Sequence, residues 1–285
     1  MKLMIRAHDL GVKGEENIAG EIARLGLDGI QLVAYKSLEG VSYTEGAVDP
    51  DRAHRVGSAI SAVGEIALIG AYFNPVHPNE EKRLHGIKMF REYLKLASHF
   101  GAKTVGSETG SYMGDPWGYH PDNLSDEALD RVVNTFSDLA DHAAILHKYI
   151  AMEGAFGHVC HTPDRLHEAI QRIGKPNIRV IFDLYNYLDI SNVDQAYDIL
   201  DRGLELFKNK ILLFHIKDFI IADEKLKQVG VGKGVLDFDK ILRKIHAHNP
   251  HAILVLEGTT GEDIDFAISF LRKKINDINQ PERND

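Results

Sequence analysis

Short apolar runs alternate along the chain with longer amphipathic stretches. The apolar runs comprise residues 3–7, 29–34, 66–70, 104–107, 149–153, 178–183, 211–216 and 252–257. Several of them are almost entirely apolar rather than strictly alternating, which is the pattern of parallel strands covered on both faces of a sheet. The pattern therefore predicts eight buried parallel strands.

The stretches between these runs carry apolar residues three and four positions apart, which is the spacing of one helix face. Such stripes comprise residues 18–25, 84–96, 129–143, 166–173, 196–204 and 266–271. Ser125 and Thr162 precede two of the stripes as expected of N-caps, and Gly26 and Gly174 follow two of them as expected of helix ends. The chain is thus predicted to alternate strand and helix throughout.

Eight strand–helix units of roughly 35 residues each predict a (β/α)8 TIM barrel, whose usual length is about 250 residues. We assign residues 1–279 to a single barrel domain and residues 280–285 to a polar C-terminal tail. An open doubly wound sheet is the alternative architecture, but the first strand is not followed by a glycine-rich phosphate loop. The longest irregular segment, residues 109–123, is predicted to be a long loop after the fourth strand.

Composition and charge narrow the class of protein. Of the 285 residues, 44% are hydrophobic and 26% charged, as in globular domains, and the formal net charge is -9. An acidic chain is an unfavourable partner for nucleic acid or an anionic membrane, and no apolar run reaches the ~20 residues of a membrane span. The single cysteine, Cys160, excludes an internal disulfide framework, and the N-terminus lacks a signal-peptide pattern. We therefore expect a cytoplasmic protein.

Four successive strands, the fifth to the eighth, end in a side chain that can bind a metal ion. These residues are Glu153, Asp183, His215 and Glu257. The C-terminal strand ends carry the active site of a TIM barrel, and a charge at the edge of an apolar core is costly without a partner. One such residue is often a helix cap or an ion-pair partner, whereas four on successive strands predict a shared divalent cation.

The chemistry of the four donors predicts the kind of ion. Three carboxylates and one imidazole suit Mn²⁺, Mg²⁺ or Co²⁺ better than the thiolate sites that zinc prefers. We expect one divalent ion per chain, with Mn²⁺ as the first choice and Mg²⁺, Co²⁺ or Zn²⁺ as alternatives.

Two further motifs, together with the four strand-end residues, carry a resemblance to the xylose isomerase-like TIM-barrel superfamily. His215-Ile216-Lys217-Asp218 resembles the His-x-Lys-Asp after strand seven of that family, and residues 230–238 resemble its Gly-x-Gly stretch leading into helix seven. The superfamily comprises sugar and sugar-phosphate isomerases and epimerases, including tagatose/psicose 3-epimerases and inosose-type enzymes, with endonuclease IV as a distant relative. The resemblance covers essentially the whole chain and implies one divalent metal held by Glu, Asp, His and Glu of strands five to eight.

The chain departs from the family pattern in two respects. Many members carry a His three residues after the strand-six Asp, where this chain has Asn186, which can hydrogen-bond a sugar hydroxyl but is no acid. The endonuclease relatives need several additional His and Asp ligands, whereas the third strand here ends in Tyr-Phe-Asn at 72–74 and the fourth in Glu108. With the acidic net charge, these departures disfavour an endonuclease IV-like activity.

Five residues are candidate substrate-binding groups, namely Glu108, His158, Asn186, Lys217 and Lys233. His158 lies in the loop after strand five, where relatives often place a substrate contact, and its alternative is an exposed loop position. Lys217 would steady an oxyanion or a phosphate, or instead pair with Asp218. Lys233, between two glycines, would hold an anion or belong to a plain turn. Glu108, at the end of strand four, is expected to line the pocket.

The resemblance implies a metal-dependent isomerase or epimerase of a sugar or sugar phosphate. The ion would bind a carbonyl oxygen and a neighbouring hydroxyl and so acidify the adjacent C–H bond. Glu153 and Glu257, on opposite sides of the ion in the family, would transfer the proton through an enediolate. A keto-inositol dehydratase and a non-catalytic sugar-binding barrel are the alternatives. We expect a small sugar ligand and neither a nucleic acid nor a membrane partner, and a homodimer or higher homo-oligomer remains open.

Overall fold

Eight parallel strands close into a barrel. The computed structural model describes residues 1–115 and 117–279, and the predicted tail at 280–285 lies outside the described residues. The barrel strands are β1 (Lys2–Arg6), β2 (Gly29–Leu32), β3 (Glu65–Gly70), β4 (Thr104–Glu108), β5 (Tyr149–Glu153), β6 (Ile178–Asp183), β7 (Ile211–Ile216) and, after a hairpin of two further strands, β10 (Ile253–Leu256). Because β1 pairs in parallel with both β2 and β10, the sheet is closed. The predicted TIM barrel is confirmed, and the open doubly wound sheet is excluded.

Helices cover the outside of the barrel and connect its strands. They are α1 (Glu15–Leu25), α2 (Ala34–Ser37), α3 (Pro50–Ser61), α4 (Glu80–Leu96), α5 (Asp126–Ile145), α6 (Pro163–Ile173), α7 (Ala196–Phe207), α8 (Phe238–His248) and α9 (Asp263–Asn279). The predicted apolar stripes lie on α1, α4, α5, α6, α7 and α9, whereas α2, α3 and α8 lie outside those stripes. In the described part of the chain, no helix has the length and apolar character needed to cross a membrane.

The helix ends follow the capping residues placed from the sequence. Ser125 before α5 and Thr162 before α6 each accept a hydrogen bond from the backbone N–H three residues later, at 3.1 Å in both cases. Gly26 and Gly174 follow α1 and α6 with φ values of 59° and 64°. Glycine adopts this left-handed conformation without the steric cost that other residues pay.

Two layers of apolar side chains hold the barrel together. The inner layer fills the barrel, and its fully buried members are Met4, Leu68, Ala151, Ile181, Leu213 and Val255. The outer layer lies between strands and helices. The first residues of two predicted stripes, Leu84 on α4 and Phe266 on α9, are exposed instead, at 52% and 46%. Phe266 lies at the edge of its stripe, beside the buried Ala267, and stacks on Phe270.

A hairpin that the apolar pattern does not predict follows β7 at the C-terminal end of the barrel. It consists of β8 (Asp218–Ala222) and β9 (Lys225–Val229), which pair antiparallel. The intervening Asp223 and Glu224 have positive φ values of 52° and 56°, as a two-residue turn between antiparallel strands requires. Because most side chains of β9 are exposed, its sequence lacks the apolar run of a barrel strand.

Candidate active site

The barrel brings the four strand-end residues together. Glu153 ends β5, Asp183 ends β6, His215 lies near the end of β7, and Glu257 directly follows β10. One donor atom from each of them lies within 4.8 Å of the others. The register of the sheet contributes directly, because Asp183 is paired with His215. The side chains are 13% exposed or less, so the cluster is closed to bulk water on most sides.

One nitrogen of His215 faces all three carboxylates. Its Nδ1 lies 3.0 Å from Glu153 Oε1, 2.7 Å from Glu257 Oε2 and 3.6 Å from Asp183 Oδ2. A metal ion among these oxygens would be held by Nδ1, because a ligating histidine is neutral at the coordinating nitrogen. The ring proton would then lie on Nε2.

Gln31 of β2 provides the partner for that proton. Its Oε1 lies 2.7 Å from His215 Nε2, and its Nε2 donates to the hydroxyl of Tyr72 at 2.6 Å. The hydrogen bond fixes the ring orientation in the manner of a carbonyl or carboxylate behind a metal-bound histidine. The sequence analysis missed Gln31, although a fully buried amide within the apolar run 29–34 is the signal that identifies it.

Lys217 and Asn186 contact the three carboxylates of the cluster. The Lys217 ammonium lies 2.9 Å from Asp183 Oδ2 and 2.8 Å from Glu257 Oε1 and donates to Asn186 Oδ1 at 2.9 Å. The Asn186 amide in turn donates to Glu153 Oε1 at 2.8 Å. Both candidate substrate-binding residues are therefore part of the cluster.

Asp218 is not the partner of Lys217. Its carboxylate instead accepts hydrogen bonds from the backbone N–H groups of Gly232 and Gly234, at 3.0 and 2.8 Å. The anion position offered by this glycine-rich loop is thus filled by the protein itself. Lys233 between the two glycines pairs with Asp263 at 2.5 Å and is half exposed. The structure does not bring Lys233 to the cluster.

The electrostatic environment shifts the pKa values of Glu153 and Glu257 in opposite directions. Burial alone would raise the pKa of Glu257, but Lys217 and His215 overcome it and hold that pKa well below its usual value. Burial raises the pKa of Glu153, with His215 opposing and Glu257 adding to the rise. For His215, burial favours the neutral ring, but Glu257 and Glu153 raise its pKa well above the usual value. In the protein alone, the cluster therefore binds protons that a divalent cation would displace.

A cavity of about 260 Å³ opens above the cluster and is called the reaction cavity below. Its lining comprises Arg6, Tyr35, Lys36, Tyr72, Glu108, Trp117, Glu153 and Glu257. Glu108 lies there as expected, and burial together with Glu153 and Glu257 raises its pKa to about 8. Arg6, which the sequence analysis did not select although it ends β1, donates to Glu257 Oε1 at 2.8 Å and to both oxygens of Asp9.

The chemistry of the cluster fits a divalent cation. Asp183 Oδ2 is buried without a hydrogen bond, and its contact with the Lys217 ammonium at 2.9 Å is an ion pair. A buried oxygen without a hydrogen bond is costly unless a cation completes its environment. Three carboxylate oxygens and one imidazole nitrogen within 4.8 Å of one another provide that environment.

Comparisons with known proteins agree with the fold. The chain matches the family model of xylose isomerase-like TIM barrels over residues 19–274. It is 27% identical over 179 residues to a probable L-ribulose-5-phosphate 3-epimerase of Mycoplasma pneumoniae, a match that covers 62% of this chain and 53% of that protein. The chain thus spans about half the length of this curated relative.

Solved structures share the barrel over nearly the full length of the chain. A D-tagatose 3-epimerase-like protein superimposes with a TM-score of 0.74 at 19% identity and covers 98% of both chains. The IolI protein with a bound zinc atom superimposes with a TM-score of 0.73 at 16% identity, again over 98% of both chains. At these identities the similarity establishes the fold alone.

Proposed function

The chain belongs to the xylose isomerase-like TIM-barrel family, and from that premise we propose that it is a divalent-metal-dependent isomerase or epimerase of a sugar or sugar phosphate. The observation that carries this proposal is the buried set of three carboxylates and one imidazole beneath a polar cavity. The curated relative, a probable ketose-phosphate epimerase, supports the same class of substrate.

Four residues of this chain would hold the ion, namely Glu153, Asp183, Glu257 and His215 through Nδ1. Bound there, a divalent ion supplies positive charge that polarises a carbonyl group and acidifies the neighbouring C–H bond. Mn²⁺ is the ion that we expect from the oxygen-rich donor set, with Mg²⁺, Co²⁺ and Zn²⁺ as alternatives.

The two glutamates are proposed to move the proton. Glu257 is held ionised by Lys217 and also accepts a hydrogen bond from Arg6, so it takes the proton from the carbon beside the carbonyl. Glu153, on the other side of the cluster, returns a proton to the opposite face of the resulting enediolate. Proton return at the same carbon gives an epimer, and return at the adjacent carbon gives the aldose–ketose isomer.

The remaining polar residues are proposed to bind the sugar. Tyr72 accepts a hydrogen bond from Gln31, which leaves its own O–H free to donate to a substrate oxygen in the reaction cavity. Glu108 lines the same cavity. At neutral pH its raised pKa favours the protonated form, which also donates.

The test is solvent-deuterium uptake by a panel of ketopentoses, ketohexoses, their phosphates and glycosyl ketoses such as isomaltulose, with the Mn²⁺-loaded protein. We expect one deuterium at the carbon beside the carbonyl of the substrate, with the mass otherwise unchanged. Loss of water would instead identify a dehydratase, such as one acting on a keto-inositol. No uptake with any ketose would contradict the proposed function.

The variant Glu257→Gln tests the role of this carboxylate. We expect it to fold and to lower the exchange rate at least 100-fold, because a positioned acid or base contributes about 10²- to 10⁴-fold. Glu262→Gln is the matched control, since Glu262 is exposed and lies outside the cluster. Near-normal exchange in Glu257→Gln would exclude the two-glutamate mechanism.

A further inference from the structure

A second cavity, called the side cavity here, lies next to the reaction cavity. Its volume is about 450 Å³, and its walls come from the loops after β4, β5 and β6 and from the hairpin β8–β9. Trp117 lines both cavities. Asn186, which also lines the side cavity, donates a hydrogen bond to Glu153 of the reaction cavity. Trp117 and Asn186 therefore lie where the two cavities adjoin.

Aromatic and neutral polar groups dominate the inner wall of the side cavity. Trp117, Phe156 and Tyr185 contribute rings, and the imidazole of His158 meets Trp117 edge to face at 5.6 Å between centroids. His158 is only 6% exposed, and its Nδ1 is buried without a hydrogen-bond partner. Burial lowers its pKa to about 4, so the ring is neutral at physiological pH. Because Nδ1 is shielded, a hydroxyl group in the cavity would meet the other ring nitrogen, Nε2, which in a neutral imidazole donates or accepts according to the tautomer.

The charges of the side cavity do not suit a phosphate. Its charged residues are Asp189, Glu224 and Lys225, which together are net negative. Phosphate sites instead gather arginine, lysine or helix N-termini. The lining of the reaction cavity contains two cations: the guanidinium of Arg6 is already occupied by Asp9 and Glu257, and Lys36 is exposed, with its ammonium 5.9 Å from the Tyr35 ring centroid. The side cavity therefore favours a neutral polyhydroxylated group, whose C–H faces pack on aromatic rings while its hydroxyls form hydrogen bonds.

On the basis of the proposed function, we propose that the side cavity binds a neutral sugar ring attached to the reacting ketose. The reaction cavity, at about 260 Å³, holds the ketose unit, and the side cavity holds the glycosyl substituent. The substrate class is thus a glycosyl ketose rather than a ketose phosphate.

Three probes that share one ketose test this inference: fructose, isomaltulose and fructose 6-phosphate. They differ only in bearing hydrogen, a glucosyl group or a phosphate on the same oxygen. Trp117 is the single tryptophan of the chain, so its fluorescence reports binding to the Mn²⁺-loaded protein. We expect isomaltulose to bind at least ten times more tightly than fructose, and fructose 6-phosphate to bind no more tightly than fructose.

A variant that narrows the side cavity provides the second readout. Leu226 on β9 lines the cavity, and Leu226→Tyr is expected to reduce the preference for isomaltulose over fructose at least fivefold. Ile220→Tyr is the matched control, because Ile220 is exposed on the neighbouring strand of the hairpin and does not line the cavity. Neither variant adds a tryptophan, so the fluorescence of Trp117 remains interpretable.

Equal affinities for fructose and isomaltulose, tighter binding of the phosphate, or an unchanged preference in Leu226→Tyr would each overturn the inference. The proposed function fails on a different observation, the absence of solvent exchange with every ketose of the panel. The two failures are therefore distinguishable.

Discussion

The position of one proton on His215 determines which nitrogen is free for a metal ion. Gln31 accepts that proton at Nε2 and leaves Nδ1 facing the carboxylates. Both partners are fully or almost fully buried, so water cannot replace the bond. The orientation of His215, a proposed metal ligand, therefore depends on Gln31, which lies outside the proposed ligand set.

Replacing Gln31 tests this dependence. Gln31→Leu leaves the Nε2–H of His215 buried without an acceptor, and we expect the affinity for Mn²⁺ to fall about 10- to 100-fold. The measurement is competition with a fluorescent chelator. Tyr72→Phe is the control, because it keeps the bond between Gln31 and His215 and should bind Mn²⁺ almost normally. Unchanged affinity in Gln31→Leu would show that this bond does not position the ligand.

His158 makes the stability of the protein depend on pH. Burial lowers its pKa from 6.5 to about 4, so between these values the unfolded chain takes up a proton and the folded chain does not. The resulting contribution is present above pH 6.5 and is lost as the pH falls toward 4. It amounts to about 3 kcal/mol in the free energy of unfolding.

The variant His158→Gln cannot take up this proton. We expect the free energy of unfolding of the wild type to fall by about 3 kcal/mol more than that of His158→Gln between pH 7 and pH 4. Urea unfolding at several pH values measures the difference. Parallel pH profiles of the two proteins would show that His158 titrates normally.

At the residue scale, the sequence identifies site residues that occupy the same position in several strands, and it does not identify a site residue whose position has no counterpart in the other strands. Glu153, Asp183, His215 and Glu257 each close an apolar run, so one rule finds all four. The partner of His215, in contrast, lies 184 positions away at Gln31. No local pattern connects two side chains at that separation, and the closure of the barrel alone makes them neighbours.

A strand or helix was predictable from the sequence where its buried residues form a clear apolar pattern. The barrel strands carry continuous apolar runs because both of their faces are covered. Helix α3 buries Ala53, Val56, Gly57 and Ile60, and two of these are small residues that give only a weak stripe. The hairpin β8–β9 has mostly exposed side chains on β9, so hydrophobic burial does not specify it.

Asp218 is the residue that holds the hairpin and the glycine-rich loop together. Its Oδ2 accepts from the N–H groups of Gly232 and Gly234, and its Oδ1 accepts from those of Phe219 and Leu236. Gly234 has no room for a side chain, because a Cβ there would lie 2.1 Å from Asp218 Oδ1. The carboxylate of Asp218 therefore occupies the space that a side chain at position 234 would need, so the loop requires glycine there.

An isosteric change at Asp218 tests this arrangement. Asp218→Asn places an N–H₂ group against backbone donors, and we expect a loss of about 2–3 kcal/mol in the free energy of unfolding. Asp223→Asn, in the exposed turn of the same hairpin, should change it by about 0.5 kcal/mol or less. Urea unfolding distinguishes the two variants. An equally small effect at both positions would mean that the loop does not depend on the carboxylate.

At the scale of the whole molecule, closure of the barrel brings together residues that are far apart along the chain. Arg6 and Glu257 are 251 positions apart, yet they form a hydrogen bond because β1 and β10 are neighbours in the closed sheet. The count of strand–helix units predicts this closure, and closure predicts that strand ends share one face. The sizes and linings of the two cavities were not predictable, because they depend on loops whose conformation the apolar pattern does not specify.

If the buried carboxylates at one end of the barrel hold a cation as proposed, the stability of the folded state depends on that cation. A ligand that binds only the folded state stabilises it by about 2.7 kcal/mol when its free concentration is 100 times Kd. For a chain of this size we expect Mn²⁺ to raise the melting temperature by about 5–10 °C over the chelated protein. Circular dichroism melting curves in Mn²⁺ and in EDTA measure the shift.

The double variant Glu153→Ala/His215→Ala is the control for this shift. It removes two of the four donors while leaving the exposed acidic residues in place, so any shift that persists comes from ions bound elsewhere. We expect its melting temperature to be the same in Mn²⁺ and in EDTA. A shift equal to that of the wild type would place the stabilising ion outside the strand ends, whereas a shift confined to the wild type ties the stability of the whole barrel to these donors.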